Sequence, residues 1–139
     1  MKKHHTKEKG DFGVLKAKVS LHEQGFMILN PETEHSPFDL VGYKNKKFFR
    51  FQVKYRSLSK NGTISLQSST TSSSKKGYRT NPYDLSEIDY FVVFCPEVDV
   101  CYYVPSNLLK EKREISLRVV GAKNNQTTGV NNASDFLVI

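Results

Sequence analysis

The chain has 139 residues, of which 37% are hydrophobic, enough for one sizeable core and a single domain over residues 1–139. Its 21 Lys+Arg exceed 14 Asp+Glu for a formal net charge of +7, which favours a polyanionic partner, nucleic acid first. No run of about 18 apolar residues is present, and the basic start "MKKHHTKEKGDFG" has no apolar signal core, so the expectation is a cytoplasmic protein with no membrane partner.

Residues 1–10 are polar and are expected to be flexible. A helix is predicted over residues 11–24. Phe12, Leu15, Val19 and His22 share one helical stripe, Val14, Ala17 and Leu21 widen it, and Gly25 is a natural stop. "FMILN" (26–30) reads as a short buried strand that Pro31 ends. Strands over 38–43 and 48–55 then form a hairpin around Lys44-Asn45-Lys46-Lys47. "GTISLQSS" (62–69) reads as a third strand of the same meander. "TTSSSKKGYRTNP" (70–82) is Ser/Thr/Lys-rich and reads as a mobile loop; residues 60–82 together are the candidate DNA-contacting ribbon or loop. Apolar strands follow at 89–95 and 100–105, paired across residues 96–99. One helical turn within 106–114 and a short strand at 115–120 complete the order. It is a mixed α/β (α+β) order with the sheet in the middle.

Cys95 and Cys101 flank the 96–99 turn and are expected as free buried thiols, without the further ligands that zinc needs. His4, His5, His22 and His35 show no metal-binding spacing.

The hairpin carries the chemistry. With its turn centred between Asn45 and Lys46, positions adding to 91 lie opposite one another. Tyr43 then faces Phe48, Val41 faces Arg50, and Asp39 faces Gln52. Opposite side chains share a face with Cβ atoms roughly 5 Å apart. Lys54, two residues past Gln52, projects to the same face, while Phe49, Phe51, Val53 and Tyr55 project to the other. A carboxylate, an amide and a lysine at one spot suit metal-assisted phosphodiester hydrolysis. Mg2+ takes hard oxygen ligands, polarises a phosphate and lowers the pKa of water, and a lysine offsets the charge that develops. The plainer alternative is a solvent-facing sheet face with ordinary polar residues.

At these residues the sequence resembles the PD-(D/E)XK nuclease superfamily. Its signature is met by Pro37 and Asp39 in "PFD", and by Gln52-Val53-Lys54 in "QVK", a Q-x-K variant of the motif. The fuller resemblance is to cyanobacterial group I intron-encoded homing endonucleases of this fold. "HTKEKGDFG", "GF", "PFDLVGY", "QVK", "DYFVVFCPEVDVCYYVP" and "LRVV…KNNQ" carry it, in order, from about His5 to Gln126. The resemblance implies a restriction-endonuclease-like core with a central mixed sheet flanked by helices, the first of them beside the active site. It implies Asp39 as the central ligand of a Mg2+ ion, joined by the Gln52 side-chain oxygen and the Val53 carbonyl, with Lys54 as the catalytic lysine. It also implies a homo-oligomer, dimer or tetramer, that cuts both strands of double-stranded DNA at a specific site. Many relatives place a metal-binding Glu on the first helix, in a "GDIGE"-like string. Here "GDFGV" puts Val14 at that position, with Asp11 and Glu8 as candidate replacements. The alternatives are a Holliday-junction resolvase-like nuclease and a DNA-binding protein with weakened catalysis.

Candidate DNA contacts fall in three groups. Lys44, Lys46, Lys47, Arg50 and Arg56 are expected around the site; Lys60, Gln67, Lys75, Lys76 and Arg79 lie in the 60–79 segment, which could form a groove-reading ribbon; Arg118, Lys123, Asn124, Asn125 and Gln126 lie near the C-terminus.

Overall fold

Helix α1 spans Thr6–Glu23 in the computed structural model, which describes residues 6–121 and 130–139. Residues 6–10, expected to be flexible, are its first turns. At its end Gly25 adopts φ +90°, the Gly25 N–H donates to the His22 carbonyl (2.9 Å) and the Phe26 N–H to the Leu21 carbonyl (3.1 Å). This is a Schellman stop built on the one residue type that takes that φ without strain.

The helix buries Ala17 and Leu21, from the edge of the predicted apolar face, rather than the Phe12-Leu15-Val19 stripe at its centre. Gly13, Ala17 and Leu21, four residues apart, are buried, while Phe12, Leu15 and Val19 are 38%, 59% and 57% exposed. Small residues win because they let the helix backbone approach the sheet. A Cβ added at Gly13 would already lie 3.5 Å from the Tyr55 Cβ. The bulkier stripe is rotated to the side, where Phe12 meets Phe94 edge-on at 5.5 Å.

In chain order the strands are β1 (Met27–Leu29), β2 (Leu40–Lys44), β3 (Lys47–Tyr55), β4 (Thr63–Gln67), β5 (Ser69–Ser74), β6 (Gly77–Pro82), β7 (Tyr90–Cys95), β8 (Val100–Pro105), β9 (Glu114–Arg118) and β10 (Asn131–Asn132). The central sheet has the order β1-β2-β3-β7-β8, with β3 and β7 parallel and its other pairs antiparallel. Asn45 and Lys46 both have positive φ, 53° and 64°, the two-residue turn whose twist suits a hairpin. Tyr43 faces Phe48 and Val41 faces Arg50, as the spacing predicts.

Both faces of this sheet are covered. On one, α1 packs over Leu40, Phe51, Val53, Val92, Phe94 and Tyr103. On the other, Phe91, Val93, Cys95, Tyr102 and Val104 pack against Ile64, Leu66, Ile115 and Leu117. The latter come from a separate three-stranded sheet, β10-β9-β4. Strand β4 is therefore not a third strand of the meander. Its alternation buries Ile64 and Leu66 and turns Thr63, Ser65 and Gln67 outward, which suits a covering layer. The central mixed sheet is as expected. Among the described residues, however, one α-helix covers one face and a small sheet covers the other.

The segment read as a loop is a two-stranded ribbon. Strands β5 and β6 pair from Ser69 opposite Pro82 to Ser74 opposite Gly77, with nearly every residue exposed. Short 3-10 turns follow β8 at Ser106–Leu109 and close the chain at Ala133–Phe136. Cys95 and Cys101 are free and buried, in the clusters on opposite faces of the sheet, so their positions across β7 and β8 do not bring them together.

Candidate active site

The site forms where the hairpin opens. Strand β2 begins at Leu40, opposite Phe51, and β3 runs on to Tyr55 along β7. The Asp39 N–H still donates to the Phe51 carbonyl at 2.9 Å. Beyond that point the Asp39 side chain replaces the missing strand. Its Oδ2 accepts from the Val53 N–H at 2.8 Å and from Gln52 Nε2 at 2.9 Å. The carboxylate thus satisfies a backbone donor that the departing strand would leave unpaired.

Lys54 lies on the same face as Gln52, near enough for its charge to act on Asp39, and is 7% exposed, which excludes the solvent-facing alternative for this end of the sheet. Its Nζ donates to the Tyr83 hydroxyl at 2.6 Å and to the Ser69 carbonyl at 3.3 Å, and lies 4.4 Å from the centre of the Tyr83 ring. Gln52 Nε2 is 3.5 Å from the same hydroxyl. Burial pushes the Lys54 ammonium down to about 8, helped by the Arg56 charge and opposed by Asp39. Burial also raises the Asp39 carboxyl, against the Val53 N–H and the Lys54 charge, and raises the Tyr83 phenol.

A cavity of about 290 Å³ opens beside Lys54, between the start of α1 at Thr6 and the root of the ribbon at Ser69–Thr71, with Arg56 and Gln67 on its wall. Arg56 is steadied there by the Tyr55 carbonyl (3.1 Å) and by Gln67 Oε1 (3.3 Å).

The donor set fits a hard divalent cation. Among the described residues both hydrogen bonds to the Asp39 carboxylate end on Oδ2, which leaves Oδ1 for a cation. The Gln52 amide and the Val53 carbonyl are the neighbouring oxygen donors, of the kind Mg2+ takes and zinc seldom does. Such an ion would polarise a phosphate and acidify water beside it. The set is poor in charge: no group of three or more His, Cys, Asp or Glu able to hold a metal occurs among the described residues. Val14 is half-buried against the cluster containing Val53 and Phe51. Asp11 and Glu8 lie on the exposed first turns of α1 and are not among the groups that set the Asp39 carboxyl.

Asp39, Gln52 and Lys54 converge as the hairpin spacing predicts. The basic group expected around them does not. Lys44, Lys46 and Lys47 lie at the turn, and the five residues of β2 separate that turn from Asp39, roughly 17 Å. Lys44 Nζ donates to the Gln24 carbonyl at 2.6 Å, over the Phe26 ring. The Arg50 guanidinium is held by Asp89 and Glu87. Of the five, Arg56 alone lines the Lys54 cavity. Lys60, Lys75, Lys76 and Arg79 are exposed, the last three on the ribbon. Arg118 is half-buried, with its Nε unpaired among the described residues. Lys123, Asn124, Asn125 and Gln126 lie outside the described residues. Tyr83 and Asp89 went unmarked in the sequence. Tyr83 sits just past Pro82 with no local pattern around it, and only the folded ribbon brings it to Lys54.

A carboxylate at an opening hairpin, followed on the next strand by an amide and a buried lysine, on a central mixed sheet, is an arrangement suited to metal-assisted phosphodiester chemistry. The chain belongs to the PD-(D/E)XK endonucleases, whose family model matches residues 4–139. It is an endonuclease, and the substrate the family implies is DNA. A solved bacterial homing endonuclease, I-Ssp6803I, matches with a TM-score of 0.77 at 22% identity, over 96% of this chain and 88% of that one. At that identity the likeness establishes the fold. Hjc, a Holliday junction resolvase from the archaeal hyperthermophile Archaeoglobus fulgidus, matches at 14% identity over 91% of this chain and 94% of that one, with a TM-score of 0.48, too weak to separate functions. No curated protein sequence matches the chain.

Proposed function

We propose that this protein is a Mg2+-dependent endonuclease that cuts both strands of double-stranded DNA at a specific site, in the service of intron homing. The observation that carries the reading is the convergence of Asp39, Gln52 and Lys54, with Lys54 buried beside the carboxylate. A buried ammonium with no catalytic task is a costly feature. In this reading Asp39 holds the cation, with the Gln52 amide and the Val53 carbonyl completing the protein's oxygen donors. Lys54 orients the attacking water and offsets charge developing on the phosphate. Arg56, on the cavity wall, holds a phosphate of the bound strand. The exposed ribbon with Lys75, Lys76 and Arg79 enters a groove. Cutting both strands calls for more than one site, and the exposed Phe12, Leu15 and Val19 stripe suits contact with a second copy.

Val14 supports a second reading, a protein that binds duplex DNA with weakened catalysis. Cleavage of a randomised plasmid library with and without Mg2+ decides between them. The expected result is Mg2+-dependent linearisation at one sequence, abolished in Asp39→Asn. Cleavage that survives Asp39→Asn sinks the site assignment. Tight binding without nicking favours the second reading, and preference for a four-way junction over linear duplex favours a resolvase.

A further inference from the structure

Lys54 is held from outside its own sheet. The partners of its ammonium are the Tyr83 hydroxyl at 2.6 Å, the Tyr83 ring at 4.4 Å and the Ser69 carbonyl at 3.3 Å. Ser69 is the first residue of β5, and Tyr83 directly follows the last residue of β6. The two roots of the ribbon are tied together where the Tyr83 N–H donates to the Ser68 carbonyl at 3.0 Å. Tyr83 is anchored on the central sheet as well, with its ring 5.8 Å from that of Phe91. Its hydroxyl reaches Gln52 Nε2 at 3.5 Å, so one oxygen lies between two residues of the Q-x-K motif.

We propose that Tyr83 is a positioning residue of the nuclease, aiming the Lys54 ammonium through its hydroxyl and ring and linking that aim to the seating of the β5–β6 ribbon. The inference rests on the assignment of Lys54 to catalysis. A lysine has four rotatable bonds and no geometry of its own, so a group beside the reacting phosphate must hold it. A hydroxyl acceptor sets the direction of one N–H, and the ring that carries it bounds the space left to the ammonium. Because both holds come from the ribbon's root, displacement of the ribbon displaces the ammonium. The exposed shaft that meets DNA and the buried lysine are then parts of one lever.

The test uses the full chain with Tyr83→Phe, which keeps the ring, and Tyr83→Leu, which loses both holds. Single-turnover cleavage in Mg2+ at saturating duplex is read beside duplex affinity in Ca2+. Tyr83→Phe is expected to slow cleavage roughly tenfold to a hundredfold with affinity unchanged, and Tyr83→Leu to slow it further. Added to Lys54→Ala, Tyr83→Phe is expected to cost nothing more, since the group it aims is gone. A loss through folding alone would instead add to the Lys54→Ala defect. A spectroscopic readout stands apart from turnover: the Lys54 Hε resonances, displaced by the neighbouring ring, are expected to stay displaced in Tyr83→Phe and to return to ordinary positions in Tyr83→Leu. Wild-type cleavage by Tyr83→Phe, or an equal loss in the Lys54→Ala background, overturns the inference. Absence of cleavage by the wild type overturns the nuclease reading of this chain, and the Hε shifts then decide the placement of Lys54 by themselves.

Discussion

Arg50 grips Asp89 with three donors at once: its backbone N–H at 2.7 Å, its Nε at 3.0 Å and its Nη2 at 3.0 Å. The pair joins β3 to the residue that leads into β7, at the crossover that makes those strands parallel. The Arg50 fork is matched to a carboxylate, so it acts as a clamp rather than as a hand extended to phosphate. Arg50→Ala is expected to lower stability by about 1–2 kcal/mol, toward the low end because both side chains are about a third exposed. Duplex affinity is expected to change little. The Arg50 hydrogen bonds hold the Asp89 carboxyl below its usual range. Its contribution is therefore present above the unfolded value near 4 and is lost as pH falls through the lower folded value. Urea denaturation of wild type and Asp89→Asn at pH 7 and pH 3 reads this directly: the gap between them narrows in acid.

Lys54 gives the same slope from the opposite cause, since here the fold disfavours the charged form. Its folded value of about 8 lies below the ordinary 10.5. Between those values the unfolded chain binds more protons, so metal-free stability rises with pH across the window. By that drop, replacing the ammonium with Lys54→Met is expected to raise stability at pH 7 by up to about 3 kcal/mol and to remove the slope. Chemical denaturation at pH 7, 9 and 10.5 in EDTA checks it. Cleavage by Lys54→Met is expected to fall to a small residual rate at every pH.

Val14 tests the shortage of carboxylates. Val14→Glu places an anion on α1, next to the residue whose added Cβ would lie 3.7 Å from Val53. The half-buried position makes a loss of stability expected in the metal-free protein, recovered as Mg2+ is added. The Mg2+ concentration for half-maximal cleavage is expected to fall. Thermal melting and cleavage, each titrated with Mg2+, measure the two effects. No change in either would place the side chain out of reach of the ion.

The ribbon is separable from the core. Lys75, Lys76 and Arg79 are exposed on β5–β6 and its turn, so the triple alanine variant is expected to melt as the wild type does. Its duplex affinity is expected to fall, and the slope of log affinity against log salt to flatten by about one unit for each phosphate contact removed. Fluorescence anisotropy over a salt series reads that slope.

Much of the site was legible because it is local. The Asn45-Lys46 turn sets the hairpin register, and the period of two in β3 then puts Gln52 and Lys54 on one face and Phe51 and Val53 on the other. The apolar pair β7–β8 is similarly local. The ribbon was only half legible: a run of Ser and Thr with charges at its tip has neither the alternation nor the bulk that marks a buried strand. The basic residues were grouped by nearness in sequence, and a hairpin separates its turn from its open end.

From its residues alone the chain determined the hairpin and its register, the alternation that aligns Asp39 with the Q-x-K run, and the positive charge that suits DNA. These depend on backbone geometry over a few residues. The tertiary structure alone decided which stripe of α1 meets the sheet, since close approach favours Gly13 and Ala17 over Phe12 and Leu15. It also decided that β3 pairs with β7 at the crossover, that β4 joins β9 in a covering sheet, and that Tyr83 reaches Lys54 from the root of the ribbon. Those contacts join residues distant along the chain, and they follow from the need to bury two faces of one sheet at once.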